Sequence, residues 1–160
     1  ILSKGVADQE VKRLKERKKE KGLVWLFLSD GEFQEGQTWE ALMSMAFHKI
    51  SNLKIVVDVN GQQVDGKTCD VMNLEPLLEK ISSFGACVKQ VDGHDLVALN
   101  NAFRTIHQDK PLVVLAKTSP FRGMEILEKR YPFLHYVRFK DENEKEEFRS
   151  FLHDMKLRQT

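Results

Sequence analysis

Apolar residues in this chain collect into four short runs, LVWLFLS (23–29), LKIVVDV (53–59), GACVKQV (85–91) and PLVVLAK (111–117). The first, second and fourth are nearly continuous, the pattern of strands covered on both faces rather than on one. Between them the apolar positions take a helical period: Trp39, Leu42, Met43, Ala46 and Phe47; then Leu74, Leu77, Leu78 and Ile81; then Leu96, Leu99, Phe103 and Ile106. The order is β-α-β-α-β-α-β. Such alternation predicts right-handed crossovers and an α/β fold with a doubly wound, mainly parallel sheet and helices on both faces.

In sheets of this kind ligands bind beyond the carboxyl ends of the strands. Here those ends read SDGE, NGQQVDG, DGHD and KTSPFRG, all with glycine beside polar or charged residues. The opposite ends read EKG, KISN, SSF and HQDK, which is ordinary connecting chemistry. The asymmetry places a functional site on one edge of the sheet.

Three segments flank this core. Residues 12–21 are expected to form a basic helix, with Ala7, Val11 and Leu14 as the few apolar positions on one face. Residues 120–140 have no steady period and are expected to form a long irregular loop. Residues 141–156 are expected to form an amphipathic helix, opened by a capping box of Asp141 and Glu144 and striped with Phe148, Phe151, Leu152 and Met155. This helix is expected to dock on the core or on a partner chain.

A chain of 160 residues with 41% hydrophobic content suits a single domain over 1–160. It begins with Ile1, the pattern of a fragment, a trimmed product or the small subunit of a split enzyme. Lys and Arg number 25 against 24 Asp and Glu, so the formal charge of +1 leaves no broad field for nucleic acid or an anionic membrane. No apolar run approaches the roughly 20 residues of a membrane span. Cys69 and Cys87 lack C-x-x-C spacing and are read as buried, reduced thiols of a cytoplasmic protein.

The stretch SDGEFQEGQTWEAL sets Asp30, Glu32, Glu35 and Glu40 directly after the first apolar run. A carboxylate at a strand end, next to glycine and ahead of a helix, can be a metal ligand, a general base or a helix cap. Asn60, at the end of the second strand, is placed to add a second oxygen. One carboxylate, one amide oxygen and a backbone carbonyl form a hard oxygen set that suits Mg²⁺ bridging to phosphate oxygens.

The combination of an Asp-Gly turn, the helix start EGQTWEAL, then DVNGQQVDG, VDGHD and KPLVVLAKT closely resembles the thiamine-diphosphate-binding part of the transketolase family, over about residues 23–118. The resemblance implies Mg²⁺ ligation by Asp30, Asn60 and the Gln62 carbonyl. It implies a thiamine diphosphate site drawn from Ser29, Asp30, Gly31, Glu32, Asn60 and Gln62. Glu35 and Glu40 correspond to acids that link paired active sites across the family's dimer, where several carboxylates are expected to share protons. His135 is matched to a histidine that contacts substrate and cofactor.

The implied activity is transfer of a two-carbon ketol unit from a ketose to an aldose. The substrates would be sugars or sugar phosphates. A partner chain would supply the pyrimidine-binding module, as the β subunit of a split transketolase in a heterotetramer. Two other readings stand beside it: a non-catalytic or degenerate assembly module, and the α subunit of a 2-oxo-acid dehydrogenase, against which the single asparagine of DVNGQQVDG speaks.

Several residues depart from the family pattern. Ser29 stands where the turn has its first glycine, and KTSPFRG replaces a glycine-rich turn. His48 is read as packed, and the residues around His94 as turn-forming.

Overall fold

The computed structural model describes residues 22–136 and 138–157. The basic helix expected at 12–21 lies outside them.

Four strands form one parallel sheet: β1 (Val24–Ser29), β2 (Leu53–Val59), β5 (Cys87–Asp92) and β6 (Leu112–Lys117), in the spatial order β1-β2-β6-β5. Each lies within two residues of an apolar run. The register pairs Ser29 with Asp58, Asp58 with Ala116, and Asp92 with Lys117, so the carboxyl ends finish level with one another. A two-stranded antiparallel hairpin, β3 (Gln62–Gln63) and β4 (Gly66–Lys67), follows β2 directly. It was not evident in the sequence because its strands are too short to carry a period.

The helices are α1 (Gly36–Phe47), α2 (Thr68–Val71), α3 (Leu77–Ser83), α4 (Leu96–Phe103) and α5 (Glu142–Leu157). The chain steps from β1 to β2, crosses the place of β6 to reach β5, and then turns back. That reversal puts α4 on the opposite face of the sheet from α1 and α3. Leu42 and Met45 of α1 and Leu77 and Ile81 of α3 pack with Ile55, Val57, Val113 and Leu115 in the main core. Ala102, Leu99 and Phe103 of α4 pack with Leu112 and Val114 on the other side.

β6 therefore alternates between two cores, and its residues 112–115 are at most 1% exposed. Burying each of these side chains is worth about 1.5–3 kcal/mol. The second face is only partly covered. α4 reaches Trp25, whose ring meets that of Phe103 edge-on at 4.9 Å, but Phe27 beyond it is 75% exposed. Helices on both faces are thus present, with β1 open on one side.

Other departures are local. α4 is capped by Asp95, whose carboxylate accepts from the Val97 and Ala98 N–H groups, and it ends at Phe103, leaving Ile106 in an exposed loop. Leu74 precedes α3 yet is buried. The expected burial of both thiols is corrected: Cys69 is exposed and Cys87 half-buried, and both are free. Cys69 lies on the short helix after the hairpin, away from the sheet interior.

The segment 120–140 is irregular but holds a 3-10 helix, Glu125–Arg130. α5 has half of the expected capping box: Asp141 accepts from the Glu144 N–H, but the Glu144 carboxylate accepts from the Lys140 N–H, one residue before the cap. It packs back on segment 120–140, through Arg130–Glu144 at 2.7 Å and through Phe148 against Phe139 at 5.2 Å.

Candidate functional site

The turn after β1 frees one carboxylate. Ser29 caps the 3-10 helix Asp30–Gln34 reciprocally with Glu32, whose Oε2 accepts from the Ser29 N–H at 2.7 Å. Capping is thereby done by Ser29 and Glu32, and Asp30 turns inward instead, 3% exposed. Its Oδ1 accepts from the Gly31 N–H at 2.9 Å. Its Oδ2 accepts from the Gly61 N–H at 2.9 Å and the Thr68 hydroxyl at 3.1 Å. Burial pushes the Asp30 carboxyl above the ordinary carboxylate value, opposed by these three hydrogen bonds and assisted slightly by the charge of Asp58.

The second half of the site is the turn after β2. Gly61 has φ +70°, a left-handed conformation in which a side chain would be strained, and this lets its N–H reach Asp30. The residues on either side of it are Asn60 and Gln62. Asn60 Oδ1 accepts from the Gln62 N–H at 2.8 Å, and its Nδ2 donates to Asp58 Oδ2 at 2.8 Å. Asp58 Oδ1 in turn accepts a short hydrogen bond from the Thr118 hydroxyl at the end of β6.

The oxygen donors of these residues are of the chemical kind that suits a magnesium ion. Among the described residues no three His, Cys, Asp or Glu side chains converge as a metal cluster. The set here is of another kind, with one carboxylate and two neutral oxygens. Asp30 uses three of its roughly four lone-pair directions, and Asn60 Oδ1 uses one of two, so each keeps capacity for a cation. A cation would also offset the cost of the buried charge. Beside Asp30 a cavity of about 200 Å³ is lined by Gly61, Lys67, Thr68, Leu77 and Tyr131. The Lys67 ammonium lies 5.1 Å from the centre of the Tyr131 ring.

The remaining expected residues fall elsewhere. Glu35 and Glu40, at the start and on the first turns of α1, are exposed. Among the described residues Asp30 is the one buried carboxylate, so on the single chain these acids do not form a buried cluster. His135 is also exposed, edge-on to Tyr136 at 4.9 Å, and it is Tyr131 of the same segment that lines the cavity at Asp30. His48 is half-buried beside Phe47. His94 accepts the Ser119 N–H through Nε2 at 2.8 Å, tying its turn to the end of β6.

Sequence reasoning missed Thr68, Asp58, Thr118 and Tyr131. Only Asp58 carried a signal, as an acid near the carboxyl end of a mainly apolar strand.

Residues 5–125 match the family model described as transketolase, thiamine diphosphate binding domain. The chain belongs to the transketolase family. It is 41% identical over 117 residues to an uncharacterised transketolase family protein of Sinorhizobium fredii, covering 71% of this chain and 42% of that one. It is 34% identical over 122 residues to one of the named subunits of the apulose-4-phosphate transketolase of Actinobacillus succinogenes, covering 76% of this chain and 44% of that one. The chain thus spans less than half the length of these curated relatives. The transketolase of Campylobacter jejuni shares the fold, with a TM-score of 0.65 at 24% identity over 81% of this chain and 23% of that one. Among the described residues of this transketolase-family chain no helix is long and apolar enough to cross a membrane.

Proposed function

We propose that this chain is the diphosphate-binding part of a split, transketolase-like enzyme that transfers a two-carbon ketol unit from a ketose to an aldose, with Mg²⁺ and thiamine diphosphate as cofactors. The observation that carries the reading is the buried Asp30 carboxylate bonded to Gly61, the residue between Asn60 and Gln62. Asp30, Asn60 Oδ1 and the Gln62 carbonyl would hold Mg²⁺, and the ion would carry the diphosphate. Gly31 keeps the turn slim: a Cβ there would stand 3.3 Å from the Gln63 Cβ.

When bound, thiamine diphosphate supplies the nucleophilic carbon and the electron sink for carbon–carbon cleavage. The chain's own residues hold and orient the diphosphate end. The cavity walled by Lys67 and Tyr131 keeps a cation and an aromatic face beside it. Lys67 is suited to a phosphate oxygen there.

Glu35 and Glu40, exposed on this chain, belong in this reading to a face covered by the partner that brings the pyrimidine-binding module. The naming of the Actinobacillus succinogenes relative as one subunit of its enzyme supports a two-chain arrangement, and two such pairs joined through the face of Glu35 and Glu40 would make the heterotetramer. Sugar phosphates are the substrate class, and the two free cysteines favour a reducing, cytoplasmic setting.

The test is Asp30→Ala and Asn60→Ala in the natural protein with its partner. Loss of Mg²⁺-dependent thiamine diphosphate binding in both supports the reading, and unaltered affinity in either removes it. Cofactor binding without turnover would leave a non-catalytic assembly module.

A further inference from the structure

The carboxylate of Asp58 lies close to Asn60 along the chain and is used by neither strand pairing nor the core. Its Oδ2 accepts from Asn60 Nδ2 at 2.8 Å, and its Oδ1 accepts from the Thr118 hydroxyl. A carboxylate can only accept, whereas an amide has one accepting and one donating end of nearly the same shape. Contact with Asp58 therefore draws the NH₂ of Asn60 to its own side and leaves Oδ1 on the other, where it receives the Gln62 N–H at 2.8 Å. Resting on the cofactor reading above, we infer that Asp58 is a positioning residue that sets the Asn60 amide with its oxygen, and not its nitrogen, toward the cation.

Asp58 is itself held. The Thr118 N–H donates to the Val59 carbonyl at 3.2 Å, which fixes the backbone of Thr118 across the β2–β6 ladder. Behind Thr118 lies Gly93, where a Cβ would stand 2.5 Å from the Thr118 Cγ2. The ends of three strands thus converge on one side-chain orientation. A cation ligated by Asn60 needs that orientation, since the amide nitrogen has no free lone pair to give.

Asp58→Ala and Asp58→Asn distinguish this role from a merely structural one. The asparagine can accept from Asn60 Nδ2 while donating to the Thr118 hydroxyl, so it can rescue the orientation. Alanine can do neither. Mg²⁺ is titrated calorimetrically into the complete natural protein with its partner at saturating thiamine diphosphate, and the metal-free melting temperature is recorded alongside.

The expected result is an affinity for Mg²⁺ weakened about 10- to 100-fold in Asp58→Ala. Asp58→Asn should stay near the parent, and both variants, altered at an exposed residue, should melt alike without metal. Unchanged Mg²⁺ affinity in Asp58→Ala, or equal weakening in both variants, overturns the inference while leaving the cofactor reading intact. Absence of Mg²⁺-dependent binding in the parent overturns both.

Discussion

Thr68→Val is the sharpest probe of the polar node at the strand ends. Thr68 is 5% exposed, and its hydroxyl donates to Asp30 Oδ2 at 3.1 Å. Valine keeps the shape and removes the donor. A hydrogen bond to a charged group contributes about 1.5–3 kcal/mol. Oδ2 keeps the Gly61 N–H, so part of the loss is absorbed and a destabilisation of about 1–2 kcal/mol is expected.

Urea unfolding at neutral pH of the metal-free protein measures this directly as a shift in midpoint at constant slope. The same substitution made in an Asp30→Ala background should cost much less, because its partner is already gone. The coupling in that double-mutant cycle is expected to be about 1 kcal/mol or more. Equal costs in the two backgrounds, or no cost in either, would show that the Asp30–Thr68 contact does not hold the turn and that the node is misdescribed.

Other consequences follow from the same geometry. Because burial raises the Asp30 carboxyl above its ordinary 3.8, the folded metal-free protein holds that proton more tightly than the unfolded chain. Its stabilising contribution is complete below 3.8 and is lost as pH rises through the folded value, so unfolding free energy should fall across that window in the parent and not in Asp30→Asn. Mg²⁺ with thiamine diphosphate should offset the fall, as seen in melts with and without both. Gly61→Ala should cost about 1–2 kcal/mol from its left-handed backbone and weaken Mg²⁺ binding as well, measured by unfolding and by calorimetry. Gly93→Ala drives a Cβ into Thr118 and the Lys117 carbonyl, and should lower stability by about 1–3 kcal/mol in a denaturant titration.

Much of this architecture was legible because the strands are long enough to show their burial. β2 and β6 are covered on both faces along most of their length and read as nearly continuous apolar runs, which located the sheet and its carboxyl edge. β5 was less clean, and its boundaries moved by one or two residues because one end is a connection and the other is a turn. Asp30 and Asn60 were found because glycine punctuation and a family pattern coincide at those strand ends.

What stayed hidden depends on contacts distant in sequence. Thr68 meets Asp30 across 38 positions and Thr118 meets Asp58 across 60, and neither has a local pattern that announces it. Tyr131 reaches the cavity only because segment 120–140 folds back, and aperiodic chain offers no signal for that. Glu35 and Glu40 stand exposed on the chain alone, as acids that only a partner would cover must be.

The most direct test of the central claim is calorimetric titration of the natural protein with thiamine diphosphate, with and without Mg²⁺ and with and without its partner chain. Binding that requires both the metal and the partner is the predicted result. Binding that ignores Mg²⁺, or no binding under any of these conditions, would contradict it.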